Sequence, residues 1–419
     1  MKIKKFLAEY PKAFWMLVVA VFIDHIGSAL LYPFLALYVT KHFDVGMTQA
    51  GAMFSIFAVT AITGSFIGGA VSDKIGRKKM VLFGILASAA SSLVIGFLND
   101  ISVFYIAVAF TGLLANTGSP AQNAMVTDLL PQEKQASGFG IIRVAYNLSF
   151  AIGPLIGGYL ADRNFLLMFL LDAFLSIVTA IFIFFILPET KPETKEEHVQ
   201  TMLQTFKGYF SVFADKLFIM LVAALILIQT IYEQLNTTLP VFLRDMHGIQ
   251  ATQFGLLLSM NAIMVVTMQI WITNQTRRFP PMLVMAFSGL MYILGFGIFG
   301  FSGSVGMFIL AFVLITIGEM TQSPVAMAAV SRFASEDKRG RYMAVFEFGW
   351  VLPTTYASIV GGLVLDHLNP HWLWYGCIAV GVLVIIVYSL LHLFGGEKIR
   401  VSDIHYEKIV QKLETDMAN

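Results

Sequence analysis

The chain alternates long apolar stretches with short polar ones. Twelve of the apolar stretches are roughly 20 residues or longer, the length that an α-helix needs to cross the hydrocarbon core of a bilayer. The alternation therefore predicts twelve membrane-spanning helices. Their expected bounds are 14–39, 47–71, 80–98, 101–127, 138–160, 165–187, 217–243, 251–273, 282–302, 305–330, 342–365 and 371–394.

Composition agrees with this pattern. Hydrophobic residues make up 57% of the 419 positions and charged residues 13%, about half of the ~25% that is usual in soluble domains. The first stretch is too long for a cleaved signal peptide and carries Asp24, so we expect it to remain in the protein. The single cysteine, Cys377, excludes an intrachain disulfide.

Enzyme motifs are missing from the sequence. It has no Walker A sequence, no H-E-x-x-H and no G-x-S-x-G. A G-x-G-x-x-G match at 295–300 lies inside a predicted span with no preceding strand, so it does not predict dinucleotide binding. We therefore expect an all-α integral membrane protein that is not an enzyme.

Loop charges predict the orientation. If the N-terminus lies inside, 23 of the 27 lysines and arginines fall on cytoplasmic segments and three on outer loops. Positive charge is enriched in cytoplasmic loops of membrane proteins. The distribution predicts that both termini are cytoplasmic.

The largest polar interruption follows the sixth span and divides the spans into two groups of six. The predicted domains are therefore a first six-helix bundle at 1–187 and a second at 217–394. Residues 188–216 are expected to form a cytoplasmic linker, in which 201–213 is an amphipathic helix on the inner membrane surface. Residues 395–419 form a polar cytoplasmic tail.

The two groups of spans repeat each other with an offset of 204 residues. The matching residues include Thr117, Ser119 and Pro120 with Thr321, Ser323 and Pro324, and Gly157, Gly158 and Asp162 with Gly361, Gly362 and Asp366. Each copy has six spans and starts on the same side, so the repeat is parallel. Such repeats are typical of transporters whose halves rock around a central site.

The copies differ in charge at matching positions, which packing alone does not require. The differing pairs are Arg143 and Glu347, Asp128 and Arg332, and Ala115 and Glu319. The differences predict an asymmetric central cavity or ion pairs between the two halves.

Several acidic residues lie inside predicted spans, where a carboxylate costs roughly 3 kcal/mol or more and is a functional candidate by default. Asp24, Glu233 and Glu319 lie at central depths of spans one, seven and ten. Arg143 and Glu347 lie nearer the inner side of spans five and eleven. These five residues are the predicted substrate and proton-coupling set, because buried acids can exchange a proton or be neutralised by a cation. For each acid, the alternative is a structural hydrogen bond to a neighbouring helix.

Two glycine-containing stretches are candidates for conformational roles. Residues 69–78 (GAVSDKIGRK) place Gly69, Asp73, Gly76 and Arg77 between two spans. Residues 153–158 (GPLIGG) place Gly153, Pro154, Gly157 and Gly158 inside span five. Small residues allow membrane helices to approach closely, so simple packing and gating both remain open for the second stretch.

These stretches resemble motifs of the major facilitator superfamily. Residues 69–78 are similar to the signature loop between its second and third helices, and residues 153–158 to a motif of its antiporters. Asp24 through Gly27 to Pro33 and Tyr38 resembles the first-helix motif of the drug:proton antiporter branch with twelve spans. The resemblance covers about residues 10 to 395 and implies two six-helix bundles that work by alternating access.

The resemblance also implies roles for individual residues. Asp73 is expected to cap the N-terminus of helix eleven in the outward-facing state. Arg77 is expected to pair with Asp128 at the inner end of helix four. Glu319, in helix ten and followed by Ser-Pro, resembles a coupling carboxylate of bacterial multidrug exporters.

We therefore expect proton-coupled efflux of lipophilic, cationic compounds across a bacterial cytoplasmic membrane. Expected partners are a small lipophilic substrate, protons and membrane lipids, with no nucleic acid and no metal or other cofactor, and the chain is expected to be a monomer. One alternative is a lipid or glycolipid translocase or a metabolite importer of the same fold. The other is a membrane receptor or scaffold that transports nothing.

Overall fold

The computed structural model describes residues 6–191, 212–333 and 338–405, and every regular element within these ranges is a helix. Most of the predicted amphipathic helix of the linker falls outside the described residues. The side chain of Asp73 is outside them as well.

We label the helices in chain order. They are α1 (Lys12–Leu31), α2 (Leu35–His42), α3 (Met47–Ile75), α4 (Arg77–Gly96), α5 (Ile101–Ala115), α6 (Gly118–Leu129), α7 (Gln132–Arg163), α8 (Phe165–Ile186), α9 (Lys216–Glu233), α10 (Leu239–His247), α11 (Ala251–Thr276), α12 (Pro281–Phe301), α13 (Val305–Phe333), α14 (Arg339–Thr354), α15 (Ala357–His367), α16 (His371–Phe394) and α17 (Glu397–Arg400).

The described residues contain twelve helical spans that are long and apolar enough to cross a membrane, which confirms the predicted number. Three of these spans are interrupted. Span one bends through the 3-10 turn Tyr32–Phe34 between α1 and α2, where Pro33 has no backbone N–H to donate. Span four breaks between α5 and α6, and span eleven breaks between α14 and α15.

The helix bounds reproduce the sequence repeat. Helices begin at Met47 and Ala251, at Arg77 and Pro281, and at Ile101 and Val305, each pair 204 residues apart. The copies differ in span four and its counterpart. The first copy breaks after Ala115, whereas α13 runs without a break through Pro324.

By internal contacts the chain forms two compact units. Unit 1 comprises Met1–Glu196, Asn236–Val266 and Ser358–Asp366, and unit 2 comprises Glu197–Leu235, Thr267–Ala357 and His367–Asn419. In unit 1, α1 packs against α7 and α8; in unit 2, α12 packs against α13 and α16. Unit 1 therefore includes parts of the second repeat. The predicted domains follow the sequence repeat instead, and they stay a prediction.

The core of unit 1 lies near the ends of the helices that carry the basic loops. Phe14, Leu17, Met125 and Val126 are almost fully buried there, and Ile183 packs with them from α8. Burying such side chains removes apolar surface from water or lipid and fills the space between helices at crystal-like density. This packing fixes α1, where Asp24 lies, against α7 and α8.

Candidate functional site

The connection between spans two and three is a single residue, Gly76. Its φ is 114°, a value that residues with a Cβ rarely adopt. Arg77 follows and begins α4; its Nε lies 3.5 Å from Asp128 Oδ2, and its Nη1 donates to Ser72 Oγ at 2.9 Å. The structure thus brings together Gly76, Arg77 and Asp128, and their role in gating stays a prediction.

The other two residues of the predicted gating set lie in α3. Asp73 is one turn before Gly76, but its side chain is outside the described part, so its cap on span eleven stays a prediction. A Cβ built on Gly69 would lie 3.7 Å from Pro120 Cβ. That is an ordinary contact, so close packing does not by itself require glycine at this position.

Glu189 was not part of the predicted site, yet it joins this loop. Its Oε1 accepts backbone hydrogen bonds from Arg77 at 2.8 Å, Lys78 at 3.3 Å, Thr190 at 3.0 Å and Lys191 at 3.1 Å. The first two N–H groups belong to the first turn of α4, which has no intrahelical partners for them. A carboxylate at a helix N-terminus is also favoured by the helix dipole. Glu189 therefore fixes the end of span six to the start of span three.

The glycines of α7 allow close contact with two other helices. A Cβ on Gly153 or Gly157 would clash with the backbone of α1, and a Cβ on Gly158 would lie 2.5 Å from the carbonyl oxygen of Ala251. The carbonyl oxygen of Pro154 faces Gly255 of α11 in the same way. The predicted packing stretch therefore contacts α1 and α11 inside unit 1.

Two aspartates cap helices at the end of unit 1 that the loop charges predict to face outward. Asp162, near the end of α7, accepts hydrogen bonds from the first two N–H groups of α11 at 2.9 and 2.8 Å. Asp366, near the end of α15, accepts from the first two N–H groups of α3 at 2.8 and 2.7 Å. Each contact joins one sequence repeat to the other.

Two acidic side chains lie close together in unit 1. Asp24 Oδ1 accepts a hydrogen bond from Ser176 Oγ at 3.2 Å. Asp172, a further intramembrane acid outside the predicted set, is 4% exposed and accepts a hydrogen bond from Ser92 Oγ. The two carboxyl groups are near enough to interact electrostatically. The sequence shows Asp172 only as an acid nearer the outer end of span six, because its distance from Asp24 depends on how α1 packs against α8.

Glu319 occupies a polar cluster in unit 2. It shares a side-chain hydrogen bond with Tyr232 and interacts electrostatically with Tyr292. One turn along α13, Gln322 donates to Tyr388 Oη at 2.9 Å and accepts from Ser288 Oγ.

The three other members of the predicted coupling set lie on three different helices. Glu233, at the end of α9, is half-buried and interacts electrostatically with the neighbouring Tyr232. Arg143 and Glu347 are both exposed. Arg143 belongs to unit 1 and Glu347 to unit 2, and an ion pair between the halves stays a prediction.

Twelve spans in two repeats, with carboxyl groups held inside the spans, define a multi-pass membrane transporter. The chain belongs to the Major Facilitator Superfamily, which matches residues 17–282 and 235–402. It is therefore a multi-pass cell-membrane protein, and it is a transporter rather than an enzyme.

Relatives and solved structures agree with this assignment. The chain is 24% identical over 404 residues to the Na(+), Li(+), K(+)/H(+) antiporter of Planococcus maritimus, covering 90% of this chain and 92% of that protein. It is 25% identical over 182 residues to the quinolone resistance protein NorA of Staphylococcus aureus, covering 43% and 46%. The structure of the nucleoside transporter NupG superposes with a TM-score of 0.80 at 15% identity, covering 91% of this chain and 100% of NupG.

Proposed function

We propose that the protein is a proton-coupled antiporter that exports lipophilic cations, as in the drug:proton antiporter branch. The observation that carries the proposal is the set of intramembrane carboxyl groups that form hydrogen bonds with hydroxyl groups. Asp24 is hydrogen-bonded to Ser176, Asp172 to Ser92 and Glu319 to Tyr232.

Hydroxyl partners suit groups that bind and release protons. A serine or tyrosine hydroxyl donates to an ionised carboxylate and can accept from a protonated carboxyl. The carboxyl group therefore keeps a hydrogen bond in both states, whereas an arginine partner would favour the charged state alone. Two such groups lie in unit 1 and one in unit 2, so each unit has a place for a proton.

The similarity to quinolone resistance protein NorA and to multidrug resistance protein 2 of Bacillus subtilis supports export of drugs. These similarities extend over less than half of the chain, 43% and 45%. Acids inside the spans favour positively charged substrates on simple electrostatic grounds, and protons are the proposed coupling ion.

The test is dye transport into inverted membrane vesicles driven by an imposed proton gradient. We expect Glu319→Gln to reduce proton-driven uptake at least tenfold, while exchange of labelled for unlabelled dye without a gradient continues. Glu133→Gln is the matched control, since Glu133 is an exposed residue in the first turn of α7. Unchanged proton-driven transport of several dyes by Glu319→Gln would show that Glu319 does not couple.

A second candidate is exchange of monovalent metal cations for protons. It is favoured by the antiporter of Planococcus maritimus, whose similarity extends over 90% of this chain. Carboxylate, hydroxyl and amide oxygens near Asp24 are ligands that hard cations accept. In the same vesicles, proton release on addition of sodium, lithium or potassium without any dye would favour this candidate. Proton-linked uptake of one polar metabolite would instead favour the alternative that the protein is a metabolite importer of the same fold.

A further inference from the structure

Unit 1 contains a polar cavity of about 270 Å³ beside Asp24. His25, Gln122, Asn123 and Tyr146 are among the polar residues that line it. The His25 and Tyr146 rings lie 4.1 Å apart between centroids, and Gln122 Nε2 donates to Tyr146 Oη at 2.9 Å. One acidic group, amide oxygens and aromatic rings thus surround one space.

A second cavity of about 150 Å³ adjoins the first and shares Ser28, Phe57 and Ser88 with it. Its other lining is largely apolar and includes Phe54 and Val108, and it also contains Asp172, which accepts a hydrogen bond from Ser92. The two cavities together offer a polar compartment with Asp24 and a largely apolar compartment in contact with each other.

The lining positions of the polar cavity differ in size between the two sequence repeats. Four of them carry larger side chains in the second repeat: Gly84 and Ser288, Ser88 and Tyr292, Ala115 and Glu319, and Gly118 and Gln322. Three carry smaller ones: Phe57 and Asn261, Ile85 and Gly289, and Gln122 and Ala326.

In unit 2 three of these four larger side chains are buried. Tyr292 is 2% exposed, and Ser288 and Gln322 are buried and hydrogen-bonded to each other. Protein interiors are normally close-packed, and the small residues at these four positions of the first repeat leave room for the polar cavity. A polar hollow of this size holds water or a ligand.

We propose that these two cavities of unit 1 bind an amphiphilic ammonium compound, with its charged head beside Asp24 and its apolar part in the adjoining cavity. A carboxylate and aromatic faces both attract an ammonium group. The polar cavity is slightly smaller than the 300–1,000 Å³ typical of sites for drug-sized ligands. It therefore takes the head group, and the apolar cavity takes the attached chain.

This inference rests on the proposed function for the charge of its ligand, but not for its position. It divides the roles of the two units, because the ligand binds in the hollow of unit 1 and the equivalent space of unit 2 holds Glu319. Ser88 is one of the three residues that line both cavities, and a larger side chain at this position would reduce the space in each.

The test is equilibrium binding to the purified full chain in lipid nanodiscs by calorimetry. The probes are hexylammonium, methylammonium for the head alone and hexanol for the chain alone. We expect hexylammonium to bind at least tenfold more tightly than either of the others. Asp24→Asn should weaken the binding of hexylammonium at least tenfold and leave the binding of hexanol unchanged.

Ser88→Tyr introduces the residue that the second repeat carries at the matching position, Tyr292. It should weaken the binding of hexylammonium at least tenfold. Ser91→Tyr is the matched control, because Ser91 lies on the same helix and lines neither cavity. This variant should bind hexylammonium with the affinity of the wild type. Hexylammonium binding by folded Ser88→Tyr with wild-type affinity would overturn the proposal, and so would a wild-type protein that does not bind hexylammonium.

A labelling experiment keeps the proposal testable if Ser88→Tyr does not fold. Ser88→Cys is made with Cys377→Ser, which removes the one native cysteine. Hexylammonium should slow modification of Cys at position 88 by a trimethylammonium thiosulfonate at least tenfold, and hexanol should not. Equal rates with and without hexylammonium would contradict the proposal.

Neither experiment depends on transport. Proton-driven transport together with wild-type binding by Ser88→Tyr would refute the cavity site and leave the proposed function intact. Binding that depends on Asp24 and Ser88 without proton-driven transport would support the cavity site and refute the proposed function.

Discussion

Asp162 and Asp366, 204 residues apart at matching positions of the repeat, each cap the first turn of a helix from the other repeat. Both contacts lie within unit 1. They satisfy N–H groups that a helix cannot satisfy internally, and each adds a favourable interaction between a carboxylate and the helix dipole. Separation of α7 from α11 would break the first cap, and separation of α15 from α3 would break the second.

Removing either cap should loosen this end of the protein. We expect Asp162→Ala and Asp366→Ala each to cost about 1 kcal/mol, the usual cost of losing a helix cap. Asp→Asn at the same positions should cost less, because the amide oxygen still accepts. Thermal unfolding in detergent checks the order wild type, Asn, Ala. Equal stability of all three would show that the caps contribute nothing.

Two glycines on the capped helices should be intolerant of a side chain. A Cβ on Gly51 would lie 2.5 Å from the carbonyl oxygen of Ser358. A Cβ on Gly255 would clash with the carbonyl oxygen of Pro154. We expect Gly51→Ala and Gly255→Ala each to destabilise the protein by about 1–3 kcal/mol through overpacking. Labelling of a cysteine at position 358, where the serine is 2% exposed, should become faster in Gly51→Ala.

Gly376→Ala is the control for these variants, because a Cβ there would meet no atom within 4 Å. Alanine favours a helix by up to about 1 kcal/mol over glycine, so this variant should be as stable as the wild type or more stable. Equal effects of alanine at positions 51, 255 and 376 would contradict the steric explanation.

Loss of the Glu189 carboxylate should destabilise the junction between spans three and six. We expect Glu189→Ala to cost about 1–2 kcal/mol, since the first turn of α4 loses its acceptor. Glu189→Gln keeps an acceptor oxygen and should recover part of the loss. Thermal unfolding of the three proteins checks this order, and an alanine variant as stable as the wild type would exclude the capping role.

The polar tail should contribute stability through Arg332. This residue stands at the repeat position of Asp128 and is 6% exposed. It donates to the carbonyl oxygen of Val401 at 2.9 Å and to the Asp403 carboxylate. We expect Asp403→Ala to cost about 1–3 kcal/mol, because a buried charged donor loses its carboxylate partner.

Thermal unfolding checks this expectation as well. Asp245→Ala is the control, since the Arg244–Asp245 pair has side chains that are 31% and 53% exposed, and exposed pairs are worth about 0–1 kcal/mol. The double exchange Arg332→Asp with Asp403→Arg should recover part of the lost stability. Equal losses at positions 245 and 403 would show that burial of Arg332 is unimportant.

The sequence predicts the spans well because span length and hydropathy are local properties. The predicted span 251–273 is the helix Ala251–Thr276, and the predicted span 371–394 is the helix His371–Phe394. Span seven is the largest departure. It was expected over 217–243, but α9 ends at Glu233 and a turn separates it from α10. The turn is polar, since it contains Gln234, Asn236, Thr237 and Thr238, so the predicted span ran across an interruption that the sequence itself carries.

The amino-acid sequence by itself determined twelve apolar segments, a parallel repeat and the intramembrane acids, because each can be counted along the chain. Only the tertiary structure decided what those acids contact. Asp24 meets Ser176, and Glu189 meets the first turn of α4, across more than 100 residues. The hollow beside Asp24 likewise involves four small residues on three helices, whose shared space arises only when the helices pack together.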